Sequence, residues 1–209
     1  MTRVKVCGIT RMEDALLAAE LGASALGFVF WPESPRYIDP DRAATIARVL
    51  PPLVSTVGVF VDQPIEEAQR IAQRVALTAV QLHGDEPTAY ARRILQPVIR
   101  SVAVDDRFTA ELLDSIPPEI TVLLDAHDPV RRGGTGRTID WSAASAAAAL
   151  RPVFLSGGLN PANVIDAITS VRPYGVDLSS GVESSPGVKD PARLRALFQA
   201  IGTTVEHHD

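Results

Sequence analysis

The chain has 209 residues, 46 % of them hydrophobic, with a formal net charge of −5 and a single cysteine. That length and apolar content suit one domain over residues 1–209 with a full core. No lysine/arginine cluster is long enough to track a nucleic acid, no apolar run reaches the ~20 residues of a membrane span, and a lone cysteine permits neither a disulfide nor a multi-cysteine metal cluster.

The chain opens on MTRVKVCGIT, which lacks the apolar region of a secretory leader, and a free thiol fits a reducing, cytoplasmic setting. Short β-rich runs then alternate with longer, alanine-rich amphipathic ones. Strands are predicted over 3–7, 25–30, 54–61, 78–82, 97–103, 120–124, 152–155 and 175–178. Helices fall between them over 12–21, 40–50, 64–75, 87–95, 107–115, 140–149 and 161–170, with a last one over 191–200. Thr10 and Glu13 have capping-box spacing before the first helix, and Gly22 suits its C-terminal end. Pro40, Pro64, Pro87, Pro161 and Pro191 stand at or near helix starts, with Asp39, Asn160 and Asp190 as caps before three of them. The polar tail TTVEHHD reads as frayed, with His207 and His208 facing solvent.

Strands alternating with helices imply a parallel sheet covered by helices. Eight such units at a spacing of about 25 residues give the α/β class and a single (β/α)8 TIM barrel with eight parallel strands. An open doubly wound sheet is the alternative. It calls for a G-x-G-x-x-G loop after the first strand, and that strand ends in CGIT.

A barrel of this kind builds its site at the C-terminal ends of its strands. Polar residues recur there. The first strand ends in Cys7-Gly8, and the lone thiol is either packing or reagent. The second leads into WPESPRYI, where Arg36 is either a surface arginine or a clamp for a carboxylate. Alternation puts Gln81 and His83 on one side of the fourth strand's end, as candidate substrate contacts. Asp125 ends TVLLD and points inward, at an apolar rim that favours the protonated carboxyl of a general acid. His127 and Asp128 are weaker rivals in the following loop. The glycine-rich stretch RRGGTGRTIDW, 131–141, reads as a lid or as a plain connector. LSGGLN and LSSGVE follow the seventh and eighth strands, where barrels bind phosphate through backbone N–H groups. The candidates there are Gly157, Gly158, Ser179, Ser180 and Gly181. Lys5 alternates with Cys7 and so faces inward too. Its charge either lowers the thiol pKa or pairs with an interior acid such as Asp177, itself a candidate at the site.

KVCGIT, GFVFWPESPRYI, VGVFVD, VQLHGDE, LLDA, GGTGRTIDW, LSGGLNPANV and VDLSSGVESSPGVKD, taken as an ordered set over about residues 3–198, resemble the phosphoribosylanthranilate isomerase family of tryptophan biosynthesis. AHDPVRR, between Asp125 and Gly133, matches no signature of that family. The resemblance implies a cytoplasmic (β/α)8 enzyme, a monomer or homodimer, acting on a small-molecule phosphosugar without metal or organic cofactor. The implied reaction is the Amadori rearrangement of N-(5-phospho-β-D-ribosyl)anthranilate to 1-(2-carboxyphenylamino)-1-deoxy-D-ribulose 5-phosphate. It implies Cys7 as general base, Asp125 as general acid, Arg36 as holder of the anthranilate carboxylate, and the glycine and serine loops as phosphate site. Three alternatives compete. The isomerase acting on the histidine-pathway aminoaldose, alone or alongside this activity, uses an aspartate where Cys7 stands. Indole-glycerol-phosphate synthase needs lysines at the barrel mouth, and no strand here ends in one. A phosphosugar-binding protein without turnover would be indifferent to Cys7→Ala.

Overall fold

The computed structural model describes residues 2–126 and 139–203. Eight strands rich in β-branched and apolar residues close into a parallel barrel, each hydrogen-bonded to the next and the eighth to the first. In chain order the elements are β1 (Arg3–Cys7), α1 (Met12–Glu20), β2 (Ala25–Val29), α2 (Pro40–Ala47), β3 (Ser55–Phe60), α3 (Ile65–Val75) and β4 (Ala79–Leu82). They continue with α4 (Thr88–Ala91), β5 (Val98–Val104), β6 (Thr121–Ala126), α5 (Trp141–Leu150), β7 (Val153–Leu155), α6 (Val164–Val171), β8 (Gly175–Leu178) and, after a hairpin, α7 (Pro191–Thr203). No helix among the described residues is long and apolar enough to cross a membrane.

Alternation along the strands sorts side chains into two cores. Outward residues such as Val4, Val6, Leu26, Val122 and Val176 pack against the helices in one continuous layer. Inward residues fill the barrel: Val57, Ile99 and Leu123 form one cluster, and Cys7, Val29 and Val59 another, roofed by Trp31. Cys7 thus stands on an apolar floor, in register with Gly27 of β2.

Local chemistry explains most boundaries. The Asp39 side chain accepts from the N–H groups of Asp41 and Arg42, and Asp190 does the same for Ala192 and Arg193. The capping box before α1 does not form. Thr10 Oγ1 donates instead to the Gly187 carbonyl, Glu13 pairs with Arg11, and the helix opens without a side-chain cap. Asn160 caps a turn, accepting from Ala162 N–H, while α6 itself starts later, at Val164. Two predicted helices are cut short. The 87–95 segment keeps one α-turn, and the 107–115 segment tightens into a 3₁₀ helix at Ala110–Ser115. Pro117 and Pro118 follow at once, and a residue before proline is pushed out of the α region. The hairpin between β8 and α7 was not expected. A 3₁₀ turn at Ser180–Val182 leads into β9 (Glu183–Ser185) and β10 (Val188–Lys189), antiparallel to each other.

Candidate active site

The strand ends surround a cavity of about 540 Å³, within the usual size of small-ligand sites. Cys7, Arg36, Gln81, His83, Asp125 and Ser179 all line it. A smaller recess adjoins it over β7 and β8, sharing Asp125, Ser156, Asp177 and Ser179 with the main cavity.

Cys7 is buried. Its thiol feels opposed influences. Burial is the largest and pushes it up, the Lys5 ammonium pulls it down, Asp177 adds a further push up, and Lys189 pulls down. Burial prevails, so the thiol titrates above its ordinary 9.0. Lys5 is two residues back on the same face of β1, and β1 pairs with β8 so that Lys5 stands opposite Asp177. Lys5 Nζ meets Asp177 Oδ1 at 2.9 Å with both side chains buried. Burial works against the Lys5 ammonium, but the Asp177 carboxylate and then Cys7 more than offset it and raise the ammonium above its ordinary range. Lys5 therefore does both things left open by the sequence: it pairs with Asp177, and its charge pulls the thiol down without outweighing burial.

Across the mouth, Asp125 is 5 % exposed at the end of β6. Its rim is polar, contrary to the sequence expectation. Oδ1 accepts from Ala126 N–H at 2.9 Å, and Oδ2 lies 3.4 Å from His83 Nε2. His83 Nδ1 is in turn 3.0 Å from Gln81 Nε2. An amide nitrogen only donates, so Nδ1 accepts and the imidazole proton sits on Nε2, facing Asp125. Gln81 is buried, its Nε2 is engaged by His83, and its Oε1 has no partner among the described residues.

Loops seven and eight form the recess. Gly157 and Gly158 have φ of +88° and +63°, which side chains rarely adopt. Gly181 is needed for another reason: a Cβ there would lie 1.9 Å from the Leu159 carbonyl, so the two loops touch backbone to backbone. Asn160 and Asn163 brace loop seven by donating to the Gly158 carbonyl at 3.2 and 3.0 Å. Among the described residues, the N–H groups of Gly157, Gly158, Ser180 and Gly181 make no hydrogen bond, and the buried Ser179 hydroxyl has no partner. Unfilled backbone donors beside glycine suit an anion.

Arg36 lines the cavity but already holds a carboxylate of the protein. Its Nε and Nη2 donate to Glu183 Oε1 and Oε2 at 3.0 and 2.8 Å, a bidentate pair. Glu183 also accepts from Lys189 Nζ at 2.8 Å. Sequence reading missed both residues, because the hairpin that delivers them has strands of three and two residues, too short to show periodicity. His127, Asp128 and residues 131–138 of the predicted lid lie outside the described residues. The last three residues of that stretch are no lid: Ile139 is in the core, Asp140 caps α5 and Trp141 begins it.

Residues 4–200 match the family model described as N-(5'phosphoribosyl)anthranilate (PRA) isomerase. The N-(5'-phosphoribosyl)anthranilate isomerase of Geotalea uraniireducens (strain Rf4) is 49 % identical over 199 residues, covering 95 % of this chain and 98 % of that protein. A solved phosphoribosyl anthranilate isomerase in complex with reduced 1-(o-carboxyphenylamino)-1-deoxyribulose 5-phosphate superposes with a TM-score of 0.85 at 44 % identity, over 97 % of this chain and 100 % of the other. Monomers generated from the dimeric phosphoribosylanthranilate isomerase of Thermotoga maritima superpose with a TM-score of 0.86 at 42 % identity, with the same coverage.

Proposed function

We propose how this mouth works from one premise: the chain belongs to the N-(5'-phosphoribosyl)anthranilate isomerase family. It is an isomerase of tryptophan biosynthesis that binds a small phosphosugar. The reaction turns N-(5-phospho-β-D-ribosyl)anthranilate into 1-(2-carboxyphenylamino)-1-deoxy-D-ribulose 5-phosphate. A proton on the ribose ring oxygen lets the C1–O bond break while the nitrogen lone pair forms the C1=N bond. The resulting cation acidifies the hydrogen on C2. A base removes it, the electrons form the C1=C2 bond of an enolamine, and tautomerisation leaves the ketone at C2.

Asp125 is the acid in this reading. It is fixed by Ala126 N–H and turned toward the cavity by His83, which Gln81 holds in one tautomer. Cys7 is the base. The Schiff-base cation formed in front of it and the Lys5 ammonium beside it both favour the thiolate. Arg36 takes the anthranilate carboxylate on the donors that Glu183 leaves free. The phosphate sits on the backbone donors of Gly157, Gly158, Ser180 and Gly181, with the Ser179 hydroxyl beside them. The observation that carries these assignments is convergence: Cys7, Asp125 and Arg36 line one cavity, and the glycine and serine loops line the recess that opens from it. A cytoplasmic setting, with the thiol kept reduced, and a monomeric or dimeric state like that of the Thermotoga relative complete the reading.

Substrate generated in situ from anthranilate and phosphoribosyl pyrophosphate, followed by loss of its fluorescence, tests the roles. Cys7→Ala and Asp125→Asn are each expected to lower kcat by about 10²–10⁴-fold, with affinity for the reduced product analogue largely kept. Normal turnover in Cys7→Ala would remove the thiol from the mechanism and favour the binding-protein alternative.

A further inference from the structure

The hairpin after β8 does more than close the chain back to α7. It places Glu183 between two cations. Glu183 Oε1 accepts from Arg36 Nε at 3.0 Å, Lys189 Nζ at 2.8 Å and Gly187 N–H at 3.3 Å, and Oε2 accepts from Arg36 Nη2 at 2.8 Å. Glu183 and Lys189 are 5 % and 2 % exposed. Lys189 spends its remaining donors on the carbonyls of Cys7 and Ser179, which fixes the hairpin to the strand ends that carry the thiol and the phosphate loop. The stem of Arg36 lies over Gly8, where a Cβ would come within 2.6 Å of its Cδ, so the side chain has little room to swing.

Charge and geometry then point the same way. One glutamate facing one arginine would leave a neutral pair with nothing to offer an incoming anion. Here two cations share a single carboxylate, so by formal charge the three groups carry one positive charge in excess. Glu183 occupies the Nε/Nη2 edge of the guanidinium. Nη1 has no partner among the described residues, and Arg36 lines the cavity. We propose that Glu183 is a positioning residue: it holds Arg36 so that the free edge of the guanidinium meets the aryl carboxylate of the substrate, while Lys189 keeps the cluster from being neutral before that carboxylate arrives. This rests on the reading of Arg36 given above.

Binding measured by calorimetry separates the two claims. The ligands are the reduced product analogue with its carboxyl group and the same compound with a plain phenyl ring. The proteins are wild type, Arg36→Ala, Glu183→Gln, Glu183→Asp and the Arg36→Ala/Glu183→Gln double variant, with thermal melting as the check on folding. Glu183→Gln is expected to weaken the carboxylated ligand by about tenfold or more and to leave the phenyl ligand within about twofold. The double variant is expected to be no weaker than Arg36→Ala alone, because Glu183 acts through Arg36. Glu183→Asp keeps the charge with a shorter reach and should fall between wild type and Glu183→Gln. Equal losses on both ligands, or additive losses in the double variant, would overturn the positioning role. If Arg36→Ala itself fails to discriminate the two ligands, the assignment of Arg36 is what has failed. If Arg36→Ala discriminates and both Glu183 variants bind like wild type, the inference about Glu183 has failed alone.

Discussion

In the proposed reading, the two ends of the mouth take an anion by opposite means. Over β7 and β8 the donors are backbone N–H groups, set by glycine conformations and braced by Asn160 and Asn163. Among the described residues, the lining of that recess includes no lysine or arginine and does include Asp125 and Asp177. At the other end a single guanidinium supplies the donors and is held from behind by Glu183. Backbone donors have no rotamer freedom of their own, need only the loop to be braced, and do not titrate. A long side chain carries full charge but also rotamer freedom, so it needs a brace before it can present one edge reproducibly. On that reading, phosphate geometry is written into the main chain, and carboxylate geometry into a side-chain network.

That contrast can be broken at each end. The largest effect is expected from Gly181→Ala, whose Cβ has no room beside the Leu159 carbonyl. Loops seven and eight must separate, and affinity for the phosphorylated analogue should fall by more than about tenfold, equivalent to 1.4 kcal/mol. Discrimination between the carboxylated and phenyl ligands should survive, since the Arg36 end is untouched. A loss of that discrimination in calorimetry would mean that the two ends are not independent.

Between the ends lies the thiol. Its titration is displaced upward, and a base works only when deprotonated, so kcat/KM should rise with pH toward and beyond 9.0. Replacing Lys5 and Asp177 together, as Lys5→Met/Asp177→Asn, removes the ion pair without stranding either charge. The thiol then loses the cation that lowers it most. Its alkylation by iodoacetamide should need a higher pH than in wild type, and turnover at neutral pH should drop several-fold. An unchanged alkylation profile would show that the pull of Lys5 on the thiol does not exceed the push of Asp177.

The smallest effect is expected in stability. Burial pushes the Glu183 carboxyl up, but Arg36 and Lys189 outweigh it and hold the group below its ordinary 4.5. The contribution is therefore complete above pH 4.5 and disappears as pH falls through the lower, folded value. Urea denaturation across that window should show wild type losing stability more steeply than Glu183→Gln. The phosphate end, made of backbone, should contribute no such slope.

Much of this was legible in the chain before any coordinates. Alternating apolar runs, with Asp39 and Asp190 as caps and prolines at helix starts, mark out the eight units. The strand ends display Cys7, Asp125 and the glycine loops, because in a barrel the inward residue at a strand tip has one place to go. Thr10 was misleading for a physical reason: its spacing suited a cap, but the helix begins one residue later, with Arg11 at the cap position, and the Thr10 hydroxyl donates to the Gly187 carbonyl. The short hairpin strands left no periodic trace.

Order along the chain therefore determined the barrel, the identity of its strand-end groups and the family to which they belong, since periodicity and local motifs are properties of neighbours in sequence. Pairing was decided by the tertiary structure. Lys5 with Asp177 is separated by 172 residues, Arg36 with Glu183 by 147, and Cys7 meets Lys189 across 182. Charges that far apart in sequence meet only when the barrel closes and the hairpin folds back over it, and it is those meetings that set which groups are free to bind and which are already held.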